Sequence, residues 1–115
     1  MAALINVTTG TVLAKQADVA SAALTRIVGL LGRRSFSEGE AMVFPRCNSI
    51  HTCWMAFPID VIFLRAGIAI KLIERVGSWR VAWAWGADTV IELPAGAIAR
   101  TATQIGQRLQ WSSRG

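Results

Sequence analysis

Several signatures that would assign an activity outright are missing from this chain. It has no P-loop, no Rossmann glycine pattern, no serine elbow and no His-Glu-x-x-His segment, so the common nucleotide enzymes drop out. The glycines are spaced as turns rather than as a phosphate cradle. Tyrosine is absent, histidine occurs once, at His51, and the only cysteines are Cys47 and Cys53. No apolar run is long enough to span a membrane, because Asp60, Arg65, Lys71, Glu74 and Arg75 interrupt the most apolar stretch, 57–76. The N-terminus has neither a charged start nor a continuous apolar region, so no signal peptide is read and a cytoplasmic location is expected.

What is present is strongly apolar. Hydrophobic residues make up 53% and charged residues 17%, which excludes disorder as a general description. The 115 residues fit a single domain, 1–115, able to bury a core without disulfides or metal. A mean hydropathy of +0.43 predicts apolar surface beyond the core, which a homodimer could cover. The net charge of +5 comes from ten arginines and two lysines against seven acidic residues. The arginines are scattered and form no dense block, so they predict a solvated basic surface rather than a nucleic-acid site.

The pattern along the chain predicts an α+β domain: a small, β-rich unit with a curled, barrel-like, mainly antiparallel sheet. Residues 4–15 read as a hairpin around Thr8-Thr9-Gly10. Ala17, Ala20, Leu24, Ile27 and Leu31 recur at helical spacing and predict one main helix over about 17–31. Strands are expected at 41–44, 49–55, 59–64, 68–76, 81–85, 89–93 and 106–111, with a short helical turn near 95–103. In 68–76, Ile68, Ile70, Leu72 and Glu74 are expected on one face and Lys71, Ile73 and Arg75 on the other.

Residues 49–64 concentrate the chemistry, because His51 and Asp60 lie within the most apolar part of the chain beside Trp54, Phe57 and Phe63. Burying titratable groups is costly without partners, so this segment predicts either a structural His51–Asp60 pair or a site. His51 as base, Asp60 as its orienter and Cys47 as nucleophile would make a small hydrolase, the alternative reading. Cys47, His51 and Cys53 offer soft ligands in a C-x3-H-x-C cluster. Only three ligands are local and the spacing matches no common zinc motif, so no metal is expected. The simplest reading of the cysteines is two small buried apolar residues. Trp83 and Trp85 alternate, share a face opposite Ala82 and Ala84, and could stack on a ligand or form an interface. Glu92 alternates with apolar neighbours as a buried acceptor or a second carboxylate.

The segments RIVGLLGRR, GEAMVFPRC, SIHTCWMAFPIDVIFL and VIELPAGAIARTATQIGQRL together resemble the uncharacterised DUF192 family of bacterial and archaeal proteins, over about 24–109. The most specific block is Ile50, His51, Thr52, Met55, Pro58, Ile59, Asp60, Phe63 and Leu64, followed by Glu92 to Gly96 and by Gly106. Many relatives have two aromatics after the threonine, whereas Cys53 takes the first of those positions here. Acidic residues of the relatives are replaced by Arg65 and Gln107. The resemblance implies a small barrel-like α+β domain and supplies no reaction or cofactor.

These readings converge on a non-enzymatic binding or accessory module without a cofactor, for a small molecule or a protein. Its expected pocket is lined by His51, Trp54, Met55, Asp60, Trp83, Trp85 and Glu92.

Overall fold

The first hairpin follows from its alternation. β1 (Ala2–Asn6) buries Ala2, Leu4 and Asn6, and β2 (Thr11–Val19) returns antiparallel beside it. The buried Asn6 side chain shapes the turn, its Oδ1 accepting the backbone N–H groups of Thr8 and Thr9 at 3.0 and 3.2 Å. This computed structural model describes residues 2–19, 36–52 and 57–113.

β2 runs through Val19 and pairs in parallel with β3 (Glu40–Pro45), Ala17 lying against Ala41 and Val19 against Val43. The expected helix over 17–31 is therefore corrected at its start. Ala17 by itself favours helix, and its burial between Ala2 and Ala41 overrides that preference in favour of strand. The rest of that helix lies outside the described residues.

Among the described residues six further strands follow: β4 (Ser49–His51), β5 (Ile59–Arg65), β6 (Ile68–Val76), β7 (Val81–Trp83), β8 (Thr89–Pro94) and β9 (Leu109–Ser113). A short helix, α1 (Ala97–Thr101), leaves the end of β8. The seven-stranded sheet has the order β6-β5-β8-β3-β2-β1-β9, and β4 pairs with β7 as a separate two-stranded ribbon. Among the described residues only β2 and β3 pair in parallel, and these residues form a β-rich domain with a curled, mainly antiparallel sheet. The curl brings its two edges together. Ala69 N donates to Gln107 O, Gly106 N to Ala69 O and Leu109 N to Gly67 O, at 2.8–2.9 Å.

Both faces of the central strands are covered, so β5 buries Ile59 to Leu64 without interruption. Leu4, Leu13, Val43, Ile62, Leu64, Ile91 and Leu109 pack inside the curl, with Ala97 and Ile98 of α1. Met42, Phe44, Ile59, Val61, Phe63 and Val90 pack on the outer face, beneath Ala82 and Ala84 of the ribbon segment. The β5–β6 turn places Ala66 and Gly67 at φ 50 and 82, the conformation a two-residue hairpin loop needs. Ile70 and Leu72 do not share a surroundings: a register shift beside Phe63 and Leu64 sends Ile70 to the outer cluster and Leu72 to the inner one. Among the described residues no helix is long and apolar enough to cross a membrane.

Candidate functional site

Asp60 sits in the middle of three segments that only the fold brings together. It is fully buried. Its Oδ1 accepts the Arg75 backbone N–H at 2.9 Å, and its Oδ2 accepts those of Gly96 at 3.1 Å and Ile98 at 2.8 Å. It thereby caps the first turn of α1 from a neighbouring strand and holds Arg75 in its left-handed conformation, φ 54. Gly96, at φ 97, meets the carboxylate through its backbone in a geometry that an L side chain rarely adopts.

His51 lies elsewhere. It is exposed on β4, opposite Val81 of β7, and no hydrogen bond joins it to Asp60 among the described residues. The structural partner of this region is Thr52, which the sequence marks only as part of a motif. Fully buried, Thr52 donates its hydroxyl to Gly77 O and accepts the Arg80 N–H at 2.9 Å. Its backbone also exchanges bonds with Trp79 and Arg80. Thr52 thus staples the ribbon to the 77–80 loop.

Cys47 is half-buried, and its thiol donates to Ser49 O at 3.0 Å. Cys53, Trp54 and Met55 lie outside the described residues. Among the described residues no group of three or more His, Cys, Asp or Glu side chains could hold a metal ion.

Glu92 faces the outer cluster from the centre of β8, flanked by Met42 on β3 and Val61 on β5. Burial pushes its carboxyl from an ordinary 4.5 up to about 8, so it holds a proton at neutral pH. No hydrogen bond reaches it among the described residues. A neutral, shielded acid suits a packed interior better than a charged contact.

The exposed counterpart of these buried groups is the β4–β7 ribbon. Ile50 and Ala82 turn inward onto the outer cluster, leaving Ser49, His51, Val81 and Trp83 on the opposite face. Large apolar side chains stand in solvent along this segment: Trp79 is 59% exposed, Val81 65%, Trp83 51% and Trp85 87%. Ala84 is buried, so the alternation of Trp83 and Trp85 opposite Ala82 and Ala84 holds. Lys71 of β6 anchors the ribbon, its Nζ donating to Trp83 O at 2.7 Å and lying 6.0 Å from the centre of the Trp83 ring. Of the expected site residues, the structure thus places His51, Trp83 and Trp85 on or beside one exposed surface. It places Asp60 and Glu92 in the interior.

The chain matches the DUF192 family (uncharacterized ACR, COG1430) over residues 4–111. It is 32% identical over 113 residues to the UPF0127 protein of Thermococcus sibiricus, covering 94% of this chain and 73% of that protein. Two crystal structures share its fold. One is a Sinorhizobium meliloti 1021 protein proposed to be a transcription regulator, with a TM-score of 0.81 at 22% identity, covering 96% of this chain and 91% of that one. The other is a Novosphingobium aromaticivorans protein of unknown function, with a TM-score of 0.80 at 20% identity, covering 96% and 83%. The chain belongs to the DUF192 family.

Proposed function

We propose that this DUF192 protein is a non-catalytic binding module that holds a partner protein against the outer face of its β4–β7 ribbon. One observation carries the reading: Trp79, Val81, Trp83 and Trp85 are all exposed along one segment, Val81, Trp83 and Trp85 alternating with the buried Ala82 and Ala84 and Trp79 lying beyond the exposed Arg80. Contiguous exposed apolar groups are rare on monomeric domains, and tryptophan is enriched where proteins meet. His51 and Ser49 supply polar contacts on the same face. The half-buried free thiol of Cys47 suits the reducing cytoplasm.

The hydrolase alternative has less support. Both Asp60 oxygens are taken by backbone donors and the side chain is shut off from solvent, so it is not poised to orient His51.

The test compares native extracts passed over the immobilised wild type and over a Trp83→Ala/Trp85→Ala variant of unchanged thermal stability. A protein retained by the first and lost from the second is the expected result. Identical retention by both chains would remove the ribbon as the contact surface.

A further inference from the structure

The exposed face of the ribbon has an extent and a chemistry that bear on what covers it. Trp79, Val81, Trp83 and Trp85 together leave roughly 600 Å² in water, with each tryptophan taken at the upper end of about 150–250 Å². A stable interface takes about 800 Å² from each partner. With Ser49 and His51 beside them, these four side chains approach a full contact surface.

The chemistry is the more selective property. The chain has twelve basic and seven acidic residues, yet the face is built from Ser49, His51, Val81 and Trp83, with Trp85 beside them. The neighbouring cations border it. Arg80 lines the groove next to β6 together with Glu74, and Arg65 lies against Gly86. Lys71 spends its ammonium on Trp83 O and on the Phe63 and Trp83 rings. In a two-fold contact between copies each patch meets itself, so fixed charge of one sign at its centre repels its own image. A face free of fixed charge meets that condition, which a foreign partner does not impose. The relief is self-complementary as well. Ser49, small, lies directly across from Trp83, large, so a hollow and a knob stand side by side.

We propose that the partner held by the ribbon is a second copy of this chain, the two ribbons packing face to face about a two-fold axis with each Trp83 ring seated over the partner's Ser49. The inference rests on the ribbon being a contact surface and names what it contacts. Burial of the tryptophans drives association, and the net charge of +5 on each copy opposes it at long range. Salt screens that repulsion, so the dimer tightens as ionic strength rises. An acidic foreign partner behaves in the opposite way and is released by salt.

Sedimentation equilibrium of the full chain, over a range of protein and salt concentrations, tests this. A reversible equilibrium between the 12.4 kDa monomer and its dimer is expected, shifted toward dimer by salt. Ser49→Arg fills the hollow and sets like charges against each other, and Trp83→Ala/Trp85→Ala removes the rings. Each weakens the dimer roughly tenfold or more. Both variants alter exposed positions, so their far-ultraviolet circular dichroism stays that of the wild type. A wild type monomeric at every concentration, a dimer that salt dissociates, or a dimer indifferent to both variants would overturn the proposal. A monomeric wild type that retains a foreign protein, lost from the Trp83→Ala/Trp85→Ala variant, discards the second copy and leaves the ribbon reading standing. Unchanged retention and unchanged association by that variant discard the ribbon reading, and this inference with it.

Discussion

Replacing Glu92 by glutamine isolates the energetic consequence of a buried acid. The unfolded carboxyl titrates at 4.5, the folded one at about 8. Below the lower value both states hold the proton and the group imposes no penalty. Above it the unfolded chain ionises while the folded one does not, so the unfolded state binds fewer protons and stability falls as pH rises. Each pH unit in this window is worth about 1.4 kcal/mol. From 4.5 to neutrality the loss comes to about 3 kcal/mol, and it levels off near 5 kcal/mol above the folded value. Glutamine keeps the shape and cannot ionise. The Glu92→Gln variant is therefore expected to gain on the wild type progressively from about pH 5 to about pH 8. Urea unfolding of both chains at a series of pH values measures this, because other titrating groups cancel in the difference. Parallel stability curves across that range would refute the reasoning and place a charge-stabilising partner beside Glu92.

Three other substitutions separate the buried framework from the exposed surface. Asp60→Asn is expected to destabilise the domain by at least about 2 kcal/mol in urea unfolding, because three backbone donors lose their shared charged acceptor. Thr52→Val should cost about 1–3 kcal/mol and speed amide exchange at Trp79 and Arg80, whose loop loses its staple. His51→Ala should alter stability by less than about 0.5 kcal/mol, since the side chain is exposed and makes no hydrogen bond among the described residues. A large loss there, measured in the same urea series, would mean that His51 is part of the framework after all.

Local signals located most strands and missed several of their ends, since β2 runs on to Val19 and β9 lies at Leu109–Ser113 where 106–111 was expected. Thr8-Thr9-Gly10 announces the first hairpin, and the run from Ile59 to Leu64 reads as a strand, though its cover on both faces appears only in the fold. The alternation of Trp83 and Trp85 with two alanines gives their common side, but not that this side is outward. The start of the main helix misled because Ala17 and Ala20 satisfy a helical spacing while Ala17 is small enough to sit between two strands. The role of Asp60 could not be read at all. Its partners Arg75, Gly96 and Ile98 are 15, 36 and 38 residues away, and their donors are backbone groups that leave no mark in the sequence. Nearness in sequence suggested His51 instead. Gln107 is a milder case. Standing where relatives carry an acid, it uses one side-chain oxygen to accept from Asn6 Nδ2 and from Gln104 N, a task that a carboxylate oxygen also performs.

The pairing of β1 with β9 sets a schedule for the growing chain. Asn6 lies opposite Leu109, and Ala2 opposite Ser113. A ribosome therefore releases the first hairpin long before the strand that shields its flank exists, and β1 must wait with a bare edge until residues 109–113 emerge. Contacts between residues so far apart in sequence slow folding, since the connecting chain must be closed before they form. Nascent chains halted before residue 109 should thus be the ones that chaperones hold longest, because β9 is the strand that covers β1.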